Sequence, residues 1–311
     1  MDRKHSHRTD LSDQPELLIF ILDVNPLSWA KLKNNVNEVF NIFLAFLNSF
    51  VLLHHSNRVC VILSHPLKAE IVYPVSRSEK QKADKSLKRL TSSSRKAEMR
   101  YQREVLVQQK SMSGQVISAI KQFSELKLPE SNTRSRLAAA LSMGLCFYRK
   151  VHREFESQGR FINSRILCVE TCANLGASES EHVPVMNAIF SARKMGVMID
   201  SLVLSSEKDA SFLQQASDLT GGVYHRTANF DGLMQKMIMI FLPGPDQRRY
   251  LAMPACLSVD YRANCFCHNK PQDVGWVCPL CLAIHCSRQA TCFMCGASYS
   301  NSNKGETQGT Q

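Results

Sequence analysis

The sequence lacks the short motifs by which common catalytic and nucleotide-binding sites are recognised. Its 311 residues contain no G-x-S-x-G, the turn that exposes the nucleophile of serine hydrolases, and no H-E-x-x-H metalloprotease motif. Neither a P-loop nor G-x-G-x-x-G follows the first apolar run, and no H-x-E is paired with P-C-x-x-C. We therefore expect neither catalytic activity nor a small-molecule substrate.

The chain also has little that indicates secretion or a membrane span. Residues 1–16 form a polar N-terminal tail without an apolar segment, so no secretory signal is expected. The longest apolar stretch, residues 39–53, is interrupted by Asn41, Asn48 and Ser49 and is short for a membrane span. It is predicted to be a buried helix, and no membrane partner is expected.

Positive charge is concentrated in one segment. The formal net charge is +11, and residues 77–110 hold eleven Lys or Arg but only four Asp or Glu. The segment over residues 76–110 is poor in large apolar side chains, which predicts an exposed and partly disordered basic insertion. A solvated loop and a weak contact with DNA are both compatible with this composition.

Strand-like and helix-like patterns alternate over residues 17–243. Residues 17–24 form a continuous apolar run, as in a strand buried on both faces of a parallel sheet, and a long helix over residues 29–54 follows. Residues 58–75 resemble a hairpin. Further predicted elements are helices over residues 114–126, 135–155, 183–195, 210–219 and 233–242, and strands over residues 165–171, 197–204 and 223–227. This order predicts an α/β fold with a doubly wound, mostly parallel sheet.

The prolines at positions 243 and 245 predict the end of this domain and the start of a connector over residues 244–264. Of the twelve cysteines, seven follow the connector, in a module over residues 265–299, and a disordered tail is predicted over residues 300–311. Such clustering favours metal binding over disulfides, and the scattered remainder fits a reducing compartment.

Two C-x-x-C turns lie ten residues apart, Cys278 with Cys281 and Cys292 with Cys295. Each turn points two sulfurs at one ion, so two turns complete a tetrahedral zinc site. Because a thiolate-rich ligand set closes the coordination shell, the zinc is predicted to be structural.

A second set of candidate ligands is Cys265, Cys267, His268 and Cys286, with His285 in reserve. Their interleaving with the C-x-x-C turns resembles a cross-brace around two zinc ions. In a rival partition, the C-x-C pair and the first C-x-x-C turn form one site, and the later cysteines form a second or vacant site. The sequence therefore predicts one or two zinc ions.

The first domain resembles a von Willebrand A domain, on the basis of Asp23 at the end of the first strand and the Thr-Gly-Gly turn at residues 220–222. Members of that family that bind adhesive ligands hold a divalent ion with D-x-S-x-S. Here Asn25 and Leu27 replace the two serines, so no divalent ion is expected at Asp23. Asp23 is predicted to cap nearby backbone amides instead.

Both halves together resemble the small von Willebrand A and zinc-finger subunits of the general transcription and repair factor TFIIH. The resemblance rests on residues 17–26, 200–204, 213–222, 241–243, 246–248 and 259–268. It implies a nuclear, non-catalytic structural subunit of the TFIIH core, which serves RNA polymerase II initiation and nucleotide excision repair. The implied partners are other core subunits, especially the larger one that also has a von Willebrand A domain and zinc fingers.

Two alternatives belong to other classes of protein. Interleaved cysteine pairs also build RING-like ubiquitin ligases, although the ligand order here begins with C-x-C-H and lacks a full third pair. The basic insertion and the zinc module together are compatible with direct DNA binding, which a steep salt dependence of affinity would reveal.

Overall fold

The computed structural model describes residues 15–31, 36–54, 56–74, 94–126, 135–171, 182–205, 210–254, 259, 261–268 and 270–299. They form a six-stranded sheet with helices on both faces and, near the C-terminus, a small cysteine-rich module. The tail predicted over residues 1–16 lies outside the described residues up to residue 14, and the tail predicted over residues 300–311 lies wholly outside them.

The sheet confirms the predicted doubly wound, mostly parallel α/β fold. Its strands are β1 (Glu16–Asp23), β2 (Arg58–Ser64), β3 (Ala69–Tyr73), β4 (Asn163–Glu170), β5 (Met198–Leu204) and β6 (Tyr224–Thr227). Their order across the sheet is β3-β2-β1-β4-β5-β6. Among these six strands, only β3 is antiparallel to its neighbour, because it returns from β2 as the predicted hairpin.

Helices connect the parallel strands, as right-handed crossovers require. They are α1 (Pro26–Lys31), α2 (Val36–Leu53), α3 (Ser94–Ser124), α4 (Leu137–Glu156), α5 (His182–Lys194), α6 (Ser211–Thr220), α7 (Leu233–Lys236) and α8 (Pro245–Arg248). A π-helical turn, Met237–Phe241, continues α7.

The central strand β1 faces a layer of helices on each side, which explains its continuous apolar run. Alternate side chains of β1 point to opposite faces of the sheet. Leu17, Ile19 and Ile21 pack in one core cluster with α4, α5 and α6. Leu18 and Phe20 pack in the other with α2, α3 and α7. All five side chains are at most 1% exposed, so β1 has no solvent-facing side.

Two predicted helices differ in extent from those in the structure. The helix predicted over residues 29–54 is two helices, α1 and α2, and residues 32–35 between them lie outside the described part of the chain. The helix predicted over residues 114–126 begins at Ser94. The prediction of a partly disordered insertion over residues 76–110 is therefore wrong for residues 94–110, which are helical, and the rest of it lies outside the described residues.

Helix α2 is long and apolar enough to cross a membrane by length and composition alone. In the structure one face of it packs against the sheet, and Phe43, Phe46 and Phe50 are at most 2% exposed. Phe43 also contacts Phe20 of β1, with ring centroids 5.7 Å apart. The prediction of a buried helix is confirmed.

The Thr-Gly-Gly turn needs both of its glycines. Gly221 follows α6 with a φ of 73°, a left-handed conformation that glycine adopts without strain. Gly222 passes so close to β5 that a Cβ atom there would lie 2.0 Å from the carbonyl oxygen of Ile199. The turn thus sets the chain against β5 and starts the edge strand β6.

A buried arginine of β4 contacts the end of the π-helical turn that continues α7. The Arg165 guanidinium, 2% exposed, donates hydrogen bonds to the carbonyl oxygens of Phe241, Leu242 and Pro243 at 2.6, 2.8 and 2.9 Å. Carbonyls in the last turn of a helix have no partner within the helix. A carboxylate oxygen of Glu16 lies 3.4 Å away and balances the charge.

The C-terminal module contains two short antiparallel ribbons. One pairs β7 (Ala263–Asn264) with β8 (Pro271–Gln272), and the other pairs β9 (Trp276–Val277) with β10 (Ile284–His285). Among the described residues, the apolar cluster of this module contains only four buried members, two of them cysteines. So small a core indicates that another interaction stabilises the module.

Candidate metal centres of the C-terminal module

The two C-x-x-C segments fold into the same turn. The N–H of the first cysteine donates to the carbonyl oxygen five residues later, at 2.9 Å for Cys278 and 2.7 Å for Cys292. The N–H four residues later donates back to the carbonyl oxygen of that cysteine, at 2.9 Å in both turns. That fourth residue has a left-handed backbone in each turn, with a φ of 59° at Leu282 and 70° at Gly296.

The two turns bring four sulfurs together in what we term the four-cysteine group: Cys278, Cys281, Cys292 and Cys295. Their sulfur atoms all lie within 4.8 Å of one another. The Sγ atoms of Cys278 and Cys295 are 3.7 Å apart, and those of Cys281 and Cys292 are 3.6 Å apart. A tetrahedron of sulfurs around zinc has edges of about 3.8 Å, so the donor set fits this ion.

A second set of donors, which we term the cysteine-histidine group, comprises Cys265, Cys267, His268 and Cys286. The Sγ of Cys286 lies 3.3 Å from both the Sγ of Cys267 and the Nδ1 of His268. Three sulfurs and one imidazole nitrogen within 4.8 Å of one another are also a tetrahedral zinc donor set.

The two groups are interleaved along the chain. Cys286 of the cysteine-histidine group lies between the two turns of the four-cysteine group, directly after β10. The grouping is therefore that of the cross-brace partition, and the rival set of Cys265, Cys267, Cys278 and Cys281 is not brought together. Each group can hold one metal ion.

The pKa values of the thiols in the four-cysteine group indicate that a bound cation would stabilise this group. The backbone N–H of Cys295 lowers the pKa of the Cys292 thiol to about 5, against the effect of burial. Although the N–H of Ala283 favours the thiolate of Cys281, burial and the sulfur of Cys292 raise the pKa of Cys281 to about 12. Adjacent sulfurs thus resist sharing negative charge, and a cation between them removes that conflict.

His285 lies outside both four-donor groups and contacts the four-cysteine group from the side. Its side chain is 2% exposed, and its Nε2 lies 3.5 Å from the Sγ of Cys292. A hydrogen bond from this nitrogen to the sulfur stabilises the thiolate, and it lowers the pKa of Cys292. His285 thus supports a ligand, and it is not in the position of a reserve ligand.

Asp23 is buried at the carboxyl end of β1 and accepts hydrogen bonds from three residues, Asn25, Ser135 and Thr171. The N–H of Asn25 donates to Oδ1 at 3.0 Å, which confirms the predicted capping of a backbone amide. The hydroxyl of Thr171 donates to Oδ2 at 2.6 Å, and that of Ser135 donates to Oδ1. Sequence reasoning missed both hydroxyls, which come from segments more than a hundred residues away. Burial raises the pKa of Asp23.

A doubly wound α/β sheet domain and a C-terminal module with two interleaved metal-donor groups define a class of two-domain protein. The chain belongs to the transcription factor Tfb4 family, whose family model matches residues 15–296. The resemblance seen in the sequence is thereby confirmed.

Relatives of known name match nearly the whole chain. The chain is 33% identical over 292 residues to General transcription and DNA repair factor IIH subunit tfb4 of Schizosaccharomyces pombe, covering 93% of this chain and 91% of the relative. It is 32% identical over 291 residues to subunit TFB4 of the same factor in Arabidopsis thaliana, covering 94% and 91%.

A solved structure with a similar fold is the N-terminal domain of TFIIH p34. It aligns with a TM-score of 0.59 and 24% identity, over 74% of this chain and 99% of that domain. This similarity independently supports the described sheet topology.

Proposed function

We propose that the chain is a non-catalytic structural subunit of the core of general transcription and DNA repair factor IIH, acting in the nucleus. The observation that carries this proposal is the extent of the family match, since residues 15–296 include both the sheet and the cysteine module. The yeast and plant relatives, matched over 91% of their length, are named as subunits of that factor. The chain serves RNA polymerase II initiation and nucleotide excision repair by holding other subunits in place.

We assign one structural zinc ion to each donor group. The ligands are Cys278, Cys281, Cys292 and Cys295 in one group, and Cys265, Cys267, His268 and Cys286 in the other. Four protein donors fill the coordination shell and leave no position for a reacting water, which supports a structural role. Zinc, when bound, supplies the stability that the small apolar cluster of the module lacks. No ion is assigned to Asp23, because its carboxylate already accepts hydrogen bonds from backbone N–H groups and from two hydroxyls.

The proposed direct partner is the larger core subunit that also has a von Willebrand A domain and zinc fingers. In this arrangement residues 17–243 form the main protein-interaction domain, and residues 265–299 form the zinc module at the end of the connector over residues 244–264. The family resemblance supports this partner, and the exposed apolar side chains of the module support a contact surface. Phe293 is 69% exposed and Leu280 77% exposed.

Co-purification of the tagged full-length chain from nuclear extract tests the proposal. We expect the other core subunits to co-purify, and Cys292→Ser to reduce their yield because it removes a proposed ligand. Lys121→Ala is the control, since Lys121 is exposed on α3 and lies outside both donor groups. Recovery of the chain without any subunit of the factor would refute the assignment.

The ubiquitin ligase alternative has its own test. Autoubiquitination with purified conjugating enzymes, abolished by Cys292→Ser and not by Cys146→Ser, would favour it over a purely structural role. The named relatives give this alternative no support.

A further inference from the structure

A groove runs between α4 and α5, on the face of the sheet opposite α2 and α3. Its volume is about 730 Å³. Its lining residues include Ser142, Leu145, Arg149 and Arg153 of α4 and Ala188 and Ser191 of α5. The groove belongs to neither metal-donor group nor the Asp23 cluster.

Small side chains of both helices line the groove. Ser142 and Ser191 satisfy their hydroxyls within their own helices, by donating to the carbonyl oxygens of Ala138 at 2.8 Å and Asn187 at 2.7 Å. An occupant of the groove therefore does not need to accept hydrogen bonds from these two hydroxyls. Leu145 and Ala188 form an apolar floor beneath them. The floor has room for an apolar side chain.

One wall of the groove is positively charged. Arg149, Lys150 and Arg153 of α4 are exposed and line it, and no carboxylate lines it. Within the described part of the chain none of the three forms an ion pair. Arg149 and Arg153 are one helical turn apart, so their charges repel each other. An acidic occupant relieves this repulsion and gains from all three cations.

The geometry points to a docking site for an acidic peptide segment of a partner protein, with an apolar side chain seated on the floor and carboxylates against the α4 cations. Because the α4 wall is positively charged, the occupant is negatively charged. The apolar floor favours a peptide over a nucleic acid. A nucleic acid backbone pairs its phosphates with cations and has no aliphatic side chain for the floor.

The test measures binding of fluorescent synthetic peptides to the full-length chain. The probe alternates Glu and Leu, and its matched control replaces each Leu with Ser. We expect the Glu-Leu peptide to bind the wild-type chain, and the double variant Arg149→Glu with Lys150→Glu to weaken binding by about tenfold or more. The Glu-Ser peptide should bind at least about tenfold more weakly than the Glu-Leu peptide, because it leaves the floor unfilled.

The matched control for charge is Lys110→Glu with Lys121→Glu. Both lysines are exposed on α3, on the opposite face of the sheet. This variant changes the net charge equally, so its affinity should stay within about twofold of wild type. Ser191→Trp fills the groove without changing charge and should also abolish binding. Thermal melts of all variants establish that each is folded.

Cys146 gives a readout at the groove itself. Its thiol is exposed and lines the groove, so a bound Glu-Leu peptide should slow its alkylation, followed by mass spectrometry of the fragment that contains it.

The proposal is overturned if no peptide binds, if both charge reversals weaken binding equally, or if the Glu-Ser peptide binds as well as the Glu-Leu peptide. Tighter binding of a single-stranded DNA oligonucleotide with the same dependence on Arg149 would also overturn it and make the groove a nucleic-acid site. Co-purification of the core subunits tests the proposed function independently, so failure of peptide binding does not count against that function.

Discussion

The guanidinium of Arg248 donates two hydrogen bonds to the carboxylate of Asp200, at 2.7 and 2.6 Å. Asp200 is 1% exposed and also accepts the N–H of Val223 at 2.9 Å, while the guanidinium of Arg165 lies 3.9 Å away. One buried carboxylate thus joins β5, the start of the edge strand and α8. The first residues of the predicted connector therefore dock on the sheet domain.

Removing Arg248 leaves Asp200 buried without its closest cation. We expect Arg248→Ala to lower the free energy of unfolding of the sheet domain by about 3 kcal/mol, as for other broken buried ion pairs. The chain has two tryptophans. In a Trp276→Phe background, fluorescence of the buried Trp29 reports urea unfolding of this domain alone.

The neighbouring arginine provides the control. The Arg249 side chain is 78% exposed and faces Asp246 at 3.9 Å, so Arg249→Ala should change stability by less than about 0.5 kcal/mol. Equal losses in the two variants would show that the Asp200 contact contributes no specific stability.

Features set by residues close together in the sequence were predictable, whereas features set by contacts between distant residues were missed. The run of β1 was predictable because burial on both faces leaves a continuous apolar pattern. The C-x-x-C turns were predictable because local hydrogen bonds form them. Arg165 was missed, since its carbonyl partners lie 76 to 78 residues away and no local spacing encodes them. For the same reason the sequence left open whether the C-x-C pair groups with Cys286 or with the first C-x-x-C turn, and the structure groups it with Cys286.

The start of α3 was missed for a different reason. The helix was predicted to begin at Gly114 because the basic stretch before it is poor in large apolar side chains, a composition typical of disorder. The surrounding Lys, Arg, Glu, Gln and Met residues are good helix formers, and the helix runs through Gly114 without interruption. Packing of Met112 and Val116 against the sheet stabilises it further.

Leu282 is predicted to strain the first cysteine turn. It has a φ of 59°, and its side chain is 65% exposed, so it gains little packing to offset a conformation that glycine adopts freely. We expect Leu282→Gly to stabilise the metal-bound module by about 1 kcal/mol, measured as tighter zinc retention in competition with a chelator. Gly296→Leu, at the equivalent position of the second turn, should have the opposite effect. Weaker zinc retention in Leu282→Gly would disprove the strain.

His285 is predicted to strengthen metal binding without ligating. Loss of its contact with Cys292 should weaken zinc binding at the four-cysteine group by about tenfold in His285→Ala, as for other outer contacts to metal ligands. The absorption of the cobalt-substituted protein measures this, because four sulfurs and three sulfurs with one nitrogen give different spectra. The spectrum of His285→Ala should keep both components, whereas His268→Ala should lose the component of the cysteine-histidine group. Loss of a nitrogen ligand in His285→Ala would show that His285 ligates directly.

Asp23 is predicted to stabilise the fold without binding a divalent ion. Asp23→Ala removes the acceptor of the hydrogen bonds from Asn25, Ser135 and Thr171 and should cost about 3 kcal/mol. Because burial raises the pKa of this carboxyl, Asp23→Asn, which keeps an acceptor oxygen and no charge, should cost less. Magnesium or calcium should leave the thermal melting of the wild-type chain unchanged. A shift to higher melting temperature with either ion, absent in Asp23→Ala, would reveal an ion site.

Deletion of residues 77–103 is predicted to leave the fold and core assembly largely intact. The deletion removes the first ten residues of α3, Ser94 to Arg103, and spares the buried contacts of Met112, Val116 and Phe123 with the sheet. A shorter connection from β3 to α3 changes mainly the loop-closure entropy, which depends weakly on length. The melting temperature should therefore stay close to that of the wild type. Val116→Asp, which buries a charge in the retained part of the helix, should lower it strongly.

The same deletion distinguishes the two interpretations of the basic segment. Residues 77–103 contain most of the cations of that segment, so a direct DNA contact through them predicts lower affinity and a flatter dependence of affinity on salt, because fewer counterions are released on binding. The set of co-purifying subunits should not change, since the deletion leaves the cysteine module and the groove between α4 and α5 in place. If the deletion instead releases the larger subunit, the segment belongs to the protein interface, and its charge acts on a protein partner.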